Sequence, residues 1–292
     1  MVADAVAAAH PTVRVELHAM KTSGDRITDR PLHDFGGKGL FTKELEQALL
    51  AGEIDFAVHS FKDVPVTMPL VDPSGLVIAA VPKRADPRDA LVSHTATRLG
   101  DLPRGARVGT GSLRRRCQVL HQRPDLAIEP IRGNIDTRLR KLREGEFDAI
   151  VLATAGLVRA GIYEPNSMHP INPEAVLCAA GQGALALQCR RDDVVTRKLL
   201  SALNDSPTEL SVRAEREVVL GLRGDCHSPI AAWAEVRGDT LVLQAAVGGR
   251  DGTPPVVRAS ASGAVTDAGE TVEKVLASLR GQGAEALLHP PG

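Results

Sequence analysis

Along the first two thirds of the chain, apolar positions switch between a period of two and a period near 3.6 at short intervals. Residues 13–20 (VRVELHAM) alternate as a strand, and residues 41–50 (FTKELEQALL) carry helical spacing. A short buried-type strand over 56–59 is followed by strands over 76–81 and 90–93. A second series reads strand 107–110, helix 112–122, strand 127–131, helix 134–143, strand 148–153. Strands alternating with helices of about ten residues predict βαβ units, an α/β fold and a mostly parallel sheet. Two breaks interrupt the pattern: residues 82–88 (PKRADPR), suited to an interdomain crossing, and the Pro- and Asn-containing stretch 164–173.

The last third has a different texture. Ser206-Pro207-Thr208-Glu209 matches a capping box with proline at the first helical position, opening a helix to about residue 222, with Gly224 as its stop. Strands over 231–236 and 240–247 flank a hairpin turn at Arg237-Gly238-Asp239; a strand near 256–261 and a helix over 266–280 follow. This segment predicts a separate, smaller α+β module. A length of 292 residues corresponds to two domains or three small ones.

Composition narrows the function classes. With 43% apolar residues the chain can bury a substantial core. Its 35 basic residues balance 36 acidic ones, and aromatics make up 2%, which argues against a nucleic-acid binder working by bulk charge and base stacking. No stretch has the ~18 uninterrupted apolar residues of a membrane span, and the first ten residues carry no signal-peptide pattern, so a cytoplasmic protein without membrane or nucleic-acid partners is expected. Cys117, Cys178, Cys189 and Cys226 are too scattered for a disulfide frame or a metal site, so no metal is expected.

Against that even balance, arginines concentrate where strands meet helices. In Val108-Gly109-Thr110-Gly111-Ser112-Leu113-Arg114-Arg115-Arg116, a strand ends in a small-residue turn and a helix begins. Helix N-termini attract anions, while three arginines in a first turn oppose the helix dipole. Such a mismatch fits an anion site that compensates for it, and equally a solvated basic helix end. Arg132 and Arg138 flank the next junction, where Asn134 is a good N-cap, and Arg159 follows the next strand. Loops at the carboxyl ends of strands in an open α/β sheet share one crevice, so Arg114, Arg115, Arg132, Arg138 and Arg159 could face a single cleft. Guanidinium forks in that number suit a ligand with several carboxylates or phosphates. Lys38 in Gly36-Gly37-Lys38-Gly39 adds a point charge on a flexible loop, or belongs to an ordinary turn. Ser60 and Asp63, in VHSFKDVP, stand at a strand's carboxyl end, where Asp63 could stabilise a developing cation or exchange protons; a solvated Lys62-Asp63 turn is the plain alternative. Cys226 follows a helix C-terminus; the dipole and Asp225 disfavour its thiolate while His227 favours it, and a buried inert thiol remains open.

Taken together, GGKGLFTKELE, AVHSFKDVP, DPRDA, VGTGSLRRRCQ, IRGNIDTRL, DAIVLATAGLVR, GQGALALQCR and the loop around Cys226 resemble the porphobilinogen deaminase (hydroxymethylbilane synthase) family, in order and over nearly the whole chain. The resemblance implies two doubly wound lobes like those of periplasmic binding proteins, plus a smaller C-terminal α+β domain. The first lobe would take residues 1–81 completed by about 181–203, the second 85–178, and the third 206–292. It also implies a monomeric transferase that joins four porphobilinogen molecules head to tail with release of ammonia. Its dipyrromethane cofactor would be attached to Cys226 by a thioether, formed when the azafulvene left by ammonia loss meets an unactivated thiol. Asp63 matches the catalytic carboxylate. Lys38, Ser60, Lys62, Thr110, Ser112, Arg114, Arg115, Arg132, Gly133 and Arg138 match positions that hold the cofactor's acetate and propionate groups, with Arg159, Arg132 and Arg138 for substrate. Rival expectations are an anion-binding two-lobed protein and an inactive shortened form.

Three departures from the family pattern bear on those expectations. The family's opening strand, with its Gly-Thr-Arg-x-Ser-x-Leu-Ala type motif, has no counterpart, so the first lobe is expected to lack that strand; a start codon assigned too far downstream would account for this. Gly111 stands where the family often has serine. Asp225 stands where glycine usually precedes the cysteine, which questions the backbone geometry of that loop.

Overall fold

A computed structural model describes residues 1–20, 22, 42–66, 75–225 and 227–290 of the chain. Its described strands form three sheets. In the first, β8 (Leu185–Arg190) lies between β1 (Phe56–Ser60) and β2 (Leu76–Ala80), antiparallel to both. The chain therefore leaves this sheet after β2 and returns to fill its middle. Helix α1 (Val2–Ala9) packs on it through Val6, together with Leu200 of α6 (Val194–Ser201). Helix α2 (Lys43–Leu50) covers it through Leu49, against Ala57 and Leu76.

The second sheet runs in the order β5 (Ala127–Glu129), β4 (Arg107–Gly109), β6 (Ala149–Ala153), β3 (Asp89–Val92), β7 (Met168–Pro170). Helices cover both its faces, which is why its central strands read as unbroken apolar runs rather than alternating ones. Leu91, Ala149 and Val151 join Val119 of α3 (Leu113–Gln122) on one side. Ala90, Val92, Ile150 and Leu152 join Leu142 of α4 (Ile135–Arg143) and Leu157 of α5 (Thr154–Arg159) on the other. The third sheet is antiparallel, in the order β11 (Val257–Ala264), β10 (Thr240–Val247), β9 (Ile230–Arg237). Helices α7 (Ser206–Gly221) and α8 (Ala268–Gly281) pack Val218, Val219, Val272, Val275 and Leu276 on one face of it, and a short α9 (Ala284–Leu288) adds Leu288.

Several expectations need correcting. The described strands are not mostly parallel: only the second sheet is mixed, with β4 parallel to β5 and β6 and β3 antiparallel to its neighbours, while the described pairings of the first and third sheets are all antiparallel. Residues 13–20 make no strand, because no described neighbour supplies a ladder; Val13 and Val15 still pack against the first-sheet core, which accounts for their alternation. The cap of α7 is Asp205, whose side chain accepts from the Thr208 amide, so proline sits one position further in than the capping box implied. Past its C-terminus the left-handed turn falls on Arg223 (φ 55°) rather than on Gly224.

Candidate functional site

Asp63 closes a 3₁₀ turn, Phe61–Asp63, at the carboxyl end of β1. Across from it begins α3, whose N-cap Ser112 accepts from the Arg115 amide at 3.5 Å, while the Thr110 hydroxyl accepts from the Ser112 amide at 3.3 Å. The C-terminal unit supplies the loop after α7. Here the Asp225 carboxylate accepts from the amides of His227 and Ser228, both at 2.9 Å, and from the Ser228 hydroxyl. Asp225 thus builds the turn with its side chain, at a φ that requires no glycine. These three elements enclose a cavity of about 200 Å³ whose walls include Lys62, Asp63, Ser112, Arg114, Arg115, Asp225 and His227. Cys226 and Lys38 lie outside the described residues, but the neighbours of Cys226 on both sides line the cavity.

Sequence reasoning missed Asp89, the anion beneath this site. It is fully buried and takes Arg115 Nη2 at 2.7 Å and Nε at 3.0 Å on Oδ1, with Arg114 Nη1 at 2.8 Å on Oδ2. Burial by itself would raise the Asp89 carboxyl, but the two guanidinium groups outweigh it and hold it well below the usual carboxylate range. Arg114 also donates through Nη1 to the Leu177 carbonyl, and Arg115 through Nη1 to that of Val151. Arg114 keeps Nε and Nη2 without a protein partner among the described residues, so the network aims one edge of the fork at the cavity. Gln182 donates to Asp89 Oδ1 and the Pro87 carbonyl and completes the cluster. DPRDA signalled Asp89 by its placement at a strand start, but its partner arginines are remote in sequence.

Not every expected residue lines the cavity. Ser60, Thr110, Arg132, Gly133, Arg138 and Arg159 lie outside its walls. Arg138 spends Nε on the Gly133 carbonyl at 2.8 Å and Arg159 spends Nη2 on the Gly183 carbonyl. Arg138 nonetheless feels the same cluster: burial first, then Arg115 and Arg132, push its pKa down to about 10, and no carboxylate among the described residues pairs with it. Gly133, at φ 107°, brings its backbone so close that a Cβ would stand 2.6 Å from Thr137 Cγ2. Gly111 is similarly confined, since a Cβ there would lie 3.2 Å from the Ile131 carbonyl oxygen and near Arg132.

Asp63 is an exposed residue on the cavity wall, where the neighbouring walls displace part of the water around its carboxylate. That desolvation raises its pKa above the ordinary carboxylate value despite the opposing pull of Lys62, His227 and Arg115. Lys62 is shifted down, chiefly by burial, with Arg115 and Arg114 adding to the fall. By contrast, Cys117, Cys178 and Cys189 are buried and their thiols are pushed up to about 11, 12 and 11, so none serves as a nucleophile. Among the described residues, no group of His, Cys, Asp and Glu could hold a metal, and no helix is long and apolar enough to cross a membrane.

Comparison with known proteins agrees with the residue-level picture. Residues 1–198 match the family model described as porphobilinogen deaminase, dipyromethane cofactor binding domain, and residues 209–281 match the porphobilinogen deaminase C-terminal domain. A porphobilinogen deaminase of Roseiflexus sp. (strain RS-1) is 46% identical over 288 residues, covering 99% of this chain and 93% of the relative. Among solved structures, the chain matches a periplasmic substrate-binding protein of an ABC transporter from Coxiella burnetii (TM-score 0.42, 17% identity, 74% of this chain and 90% of that one). Another is an amino acid ABC transporter substrate-binding protein from Streptococcus pneumoniae bound to L-arginine (TM-score 0.36, 14% identity, 68% and 73%).

Proposed function

The chain belongs to the porphobilinogen deaminase family, and from that premise we propose that it joins four porphobilinogen molecules head to tail, releasing ammonia, to give hydroxymethylbilane for tetrapyrrole synthesis. The observation that carries this reading is Arg138, a largely buried arginine beside Arg115 and Arg132 whose pKa is pressed down by burial first and by those two cations second, with no carboxylate pairing with it among the described residues. Each pyrrole substrate brings two carboxylates, and a growing chain brings more, which is the charge that Arg138 can take.

The residues present fit a dipyrromethane group. Cys226 would carry it by a thioether, with Lys38, Ser60, Lys62, Thr110, Ser112, Arg114, Arg115, Arg132, Gly133 and Arg138 holding its acetates and propionates and Asp63 facing its pyrrole N–H groups. When bound, the cofactor supplies the pyrrole α-carbon to which the first substrate unit is joined. The chain's own residues do the rest. Arg132, Arg138 and Arg159 orient substrate carboxylates, so the reacting carbons meet without the entropic cost of free encounter. As the C–N bond of porphobilinogen breaks, its electron pair leaves with the ammonia and positive charge develops on the ring system. Asp63 opposes that charge from the cavity wall. Because the cavity walls displace part of the water around the carboxylate, the attraction is stronger there than in bulk water.

Residues 1–81 with 181–203, 85–178 and 206–292 act as three units, the first two forming the cleft and the third presenting the cysteine loop. The enzyme works as a monomer in the cytoplasm, on a small molecule rather than on nucleic acid or membrane. Intact-mass measurement of the purified protein tests the assignment. An adduct of two pyrrole units, mapped by peptide analysis to Cys226, is expected; an unmodified thiol at Cys226 in catalytically active protein would overturn it.

A further inference from the structure

Arg216 sits within α7, the helix that leads into the Cys226 loop, yet its guanidinium reaches into the first lobe. Nη1 donates to the Val64 carbonyl at 2.8 Å and Nη2 donates to the Pro65 carbonyl. The guanidinium carbon stands over the Phe61 ring, 4.9 Å from its centroid. Arg216 therefore grips the backbone just after Asp63 and the aromatic ring just before it, and it shares the cavity wall with Asp63. Its partners among the described residues are all neutral, and burial presses its pKa down to about 10. A desolvated cation with no anion among the described residues is expensive, and a local cost of that kind is kept where a site draws on it.

The adjoining residue anchors the same helix. Buried Glu215 pairs with Arg84 of the first interdomain crossing and accepts from the amides of Gly181 and Ala234. With Glu215 fixing α7 against the crossings, Arg216 sets how far the Asp63 turn stands from the loop at the other end of that helix.

Resting on the assignment above, we infer that Arg216 is a positioning residue for the reaction: it acts through Asp63, holding the carboxylate-bearing turn in register with the cysteine loop. The charged groups facing Asp63 are Lys62 on its own turn, Arg115 on α3 and His227 on the loop after α7. Losing the Arg216 grip would let the turn swing away from them and hydrate the carboxylate further.

Holoenzyme carrying Arg216→Lys or Arg216→Gln tests this, with Asp63→Asn prepared alongside. For Arg216→Gln, kcat should fall about 10- to 100-fold while KM stays within about twofold, since misplacement of a reacting group by about an ångström has that effect. The acid limb of the rate profile should move down, towards an ordinary carboxylate, as Asp63 becomes hydrated. Hydrogen exchange in a peptide spanning residues 61–66 should quicken by about tenfold, reporting local opening independently of turnover. Arg216→Lys keeps a cation over Phe61 and should give intermediate values; if the Gln variant does not fold, the Lys variant decides on the same readouts. Wild-type kcat, acid limb and exchange would overturn the inference, and so would a rise in KM alone, which would make Arg216 a ligand contact. If Asp63→Asn itself turns over normally, the assignment of Asp63 fails; if it is slow while both Arg216 variants behave as wild type, only the role of Arg216 does.

Discussion

Asp89 and Arg115 meet at 2.7 Å in the buried floor of the cleft, and the same carboxylate also holds Arg114. One anion thus serves two guanidinium groups, leaving the floor with a net positive charge directed at whatever enters.

Asp89→Asn should therefore cost about 3–5 kcal/mol of stability, because it strands two buried cations. The folded-state pKa of Asp89 is depressed, so its contribution is complete above the unfolded carboxylate value near 3.9 and is lost as pH falls below that towards the lower folded value. Urea midpoints measured from pH 7 to pH 3 should fall in the native protein, with a shallower fall in the variant.

Asp63→Asn should lower kcat by roughly 10³-fold with little change in KM, as expected when a charge-stabilising group is lost from a preorganised site. Since desolvation raises Asp63, the carboxylate stays protonated to higher pH than usual, and the acid limb of the native rate profile should lie above the ordinary carboxylate range. Steady-state kinetics across pH checks both; a native limb at or below the ordinary value would contradict the second.

Arg138→Leu should separate binding from stability. Because the arginine is partly buried with no anion among the described residues, its removal should leave the thermal midpoint of ligand-free protein unchanged or higher. Loss of a charged hydrogen bond to substrate, about 1.5–3 kcal/mol, should raise KM by about 10- to 100-fold. Arg132→Leu should instead stall elongation, visible by intact mass as protein carrying partly built chains.

Glu215→Gln should destabilise the docking of α7. Desolvation would lower the Arg84 pKa, but the Glu215 carboxylate more than reverses this, so the neutral amide leaves a buried cation exposed to the full penalty. Chemical denaturation should show a loss of about 3–5 kcal/mol; a loss under about 1 kcal/mol would mean that the pair is unimportant.

Local signals made much of the second lobe readable. Asn134 caps its helix as the residue type implied, Ser112 caps the helix it was expected to open, and the strand-to-helix junctions bearing Arg114, Arg115 and Arg132 fall where the pattern put them. What escaped was non-local. Nothing near Asp89 announces that two arginines 25 and 26 residues later will fold over it. Arg216 carries no motif, and its partners are backbone carbonyls about 150 residues away, which no side-chain pattern records. Residues 13–20 show the opposite failure: their alternation is real, but without a ladder it produces packing and no strand.

The placement of β8 between β1 and β2 orders events during protein synthesis. A ribosome has delivered every strand of the second sheet by residue 170, whereas the first sheet lacks its middle until residue 190 emerges. The half of the molecule that bears Asp63 is thus the later to close, even though most of it is translated earlier, and the arginine-bearing half can already be formed as a surface against which it closes.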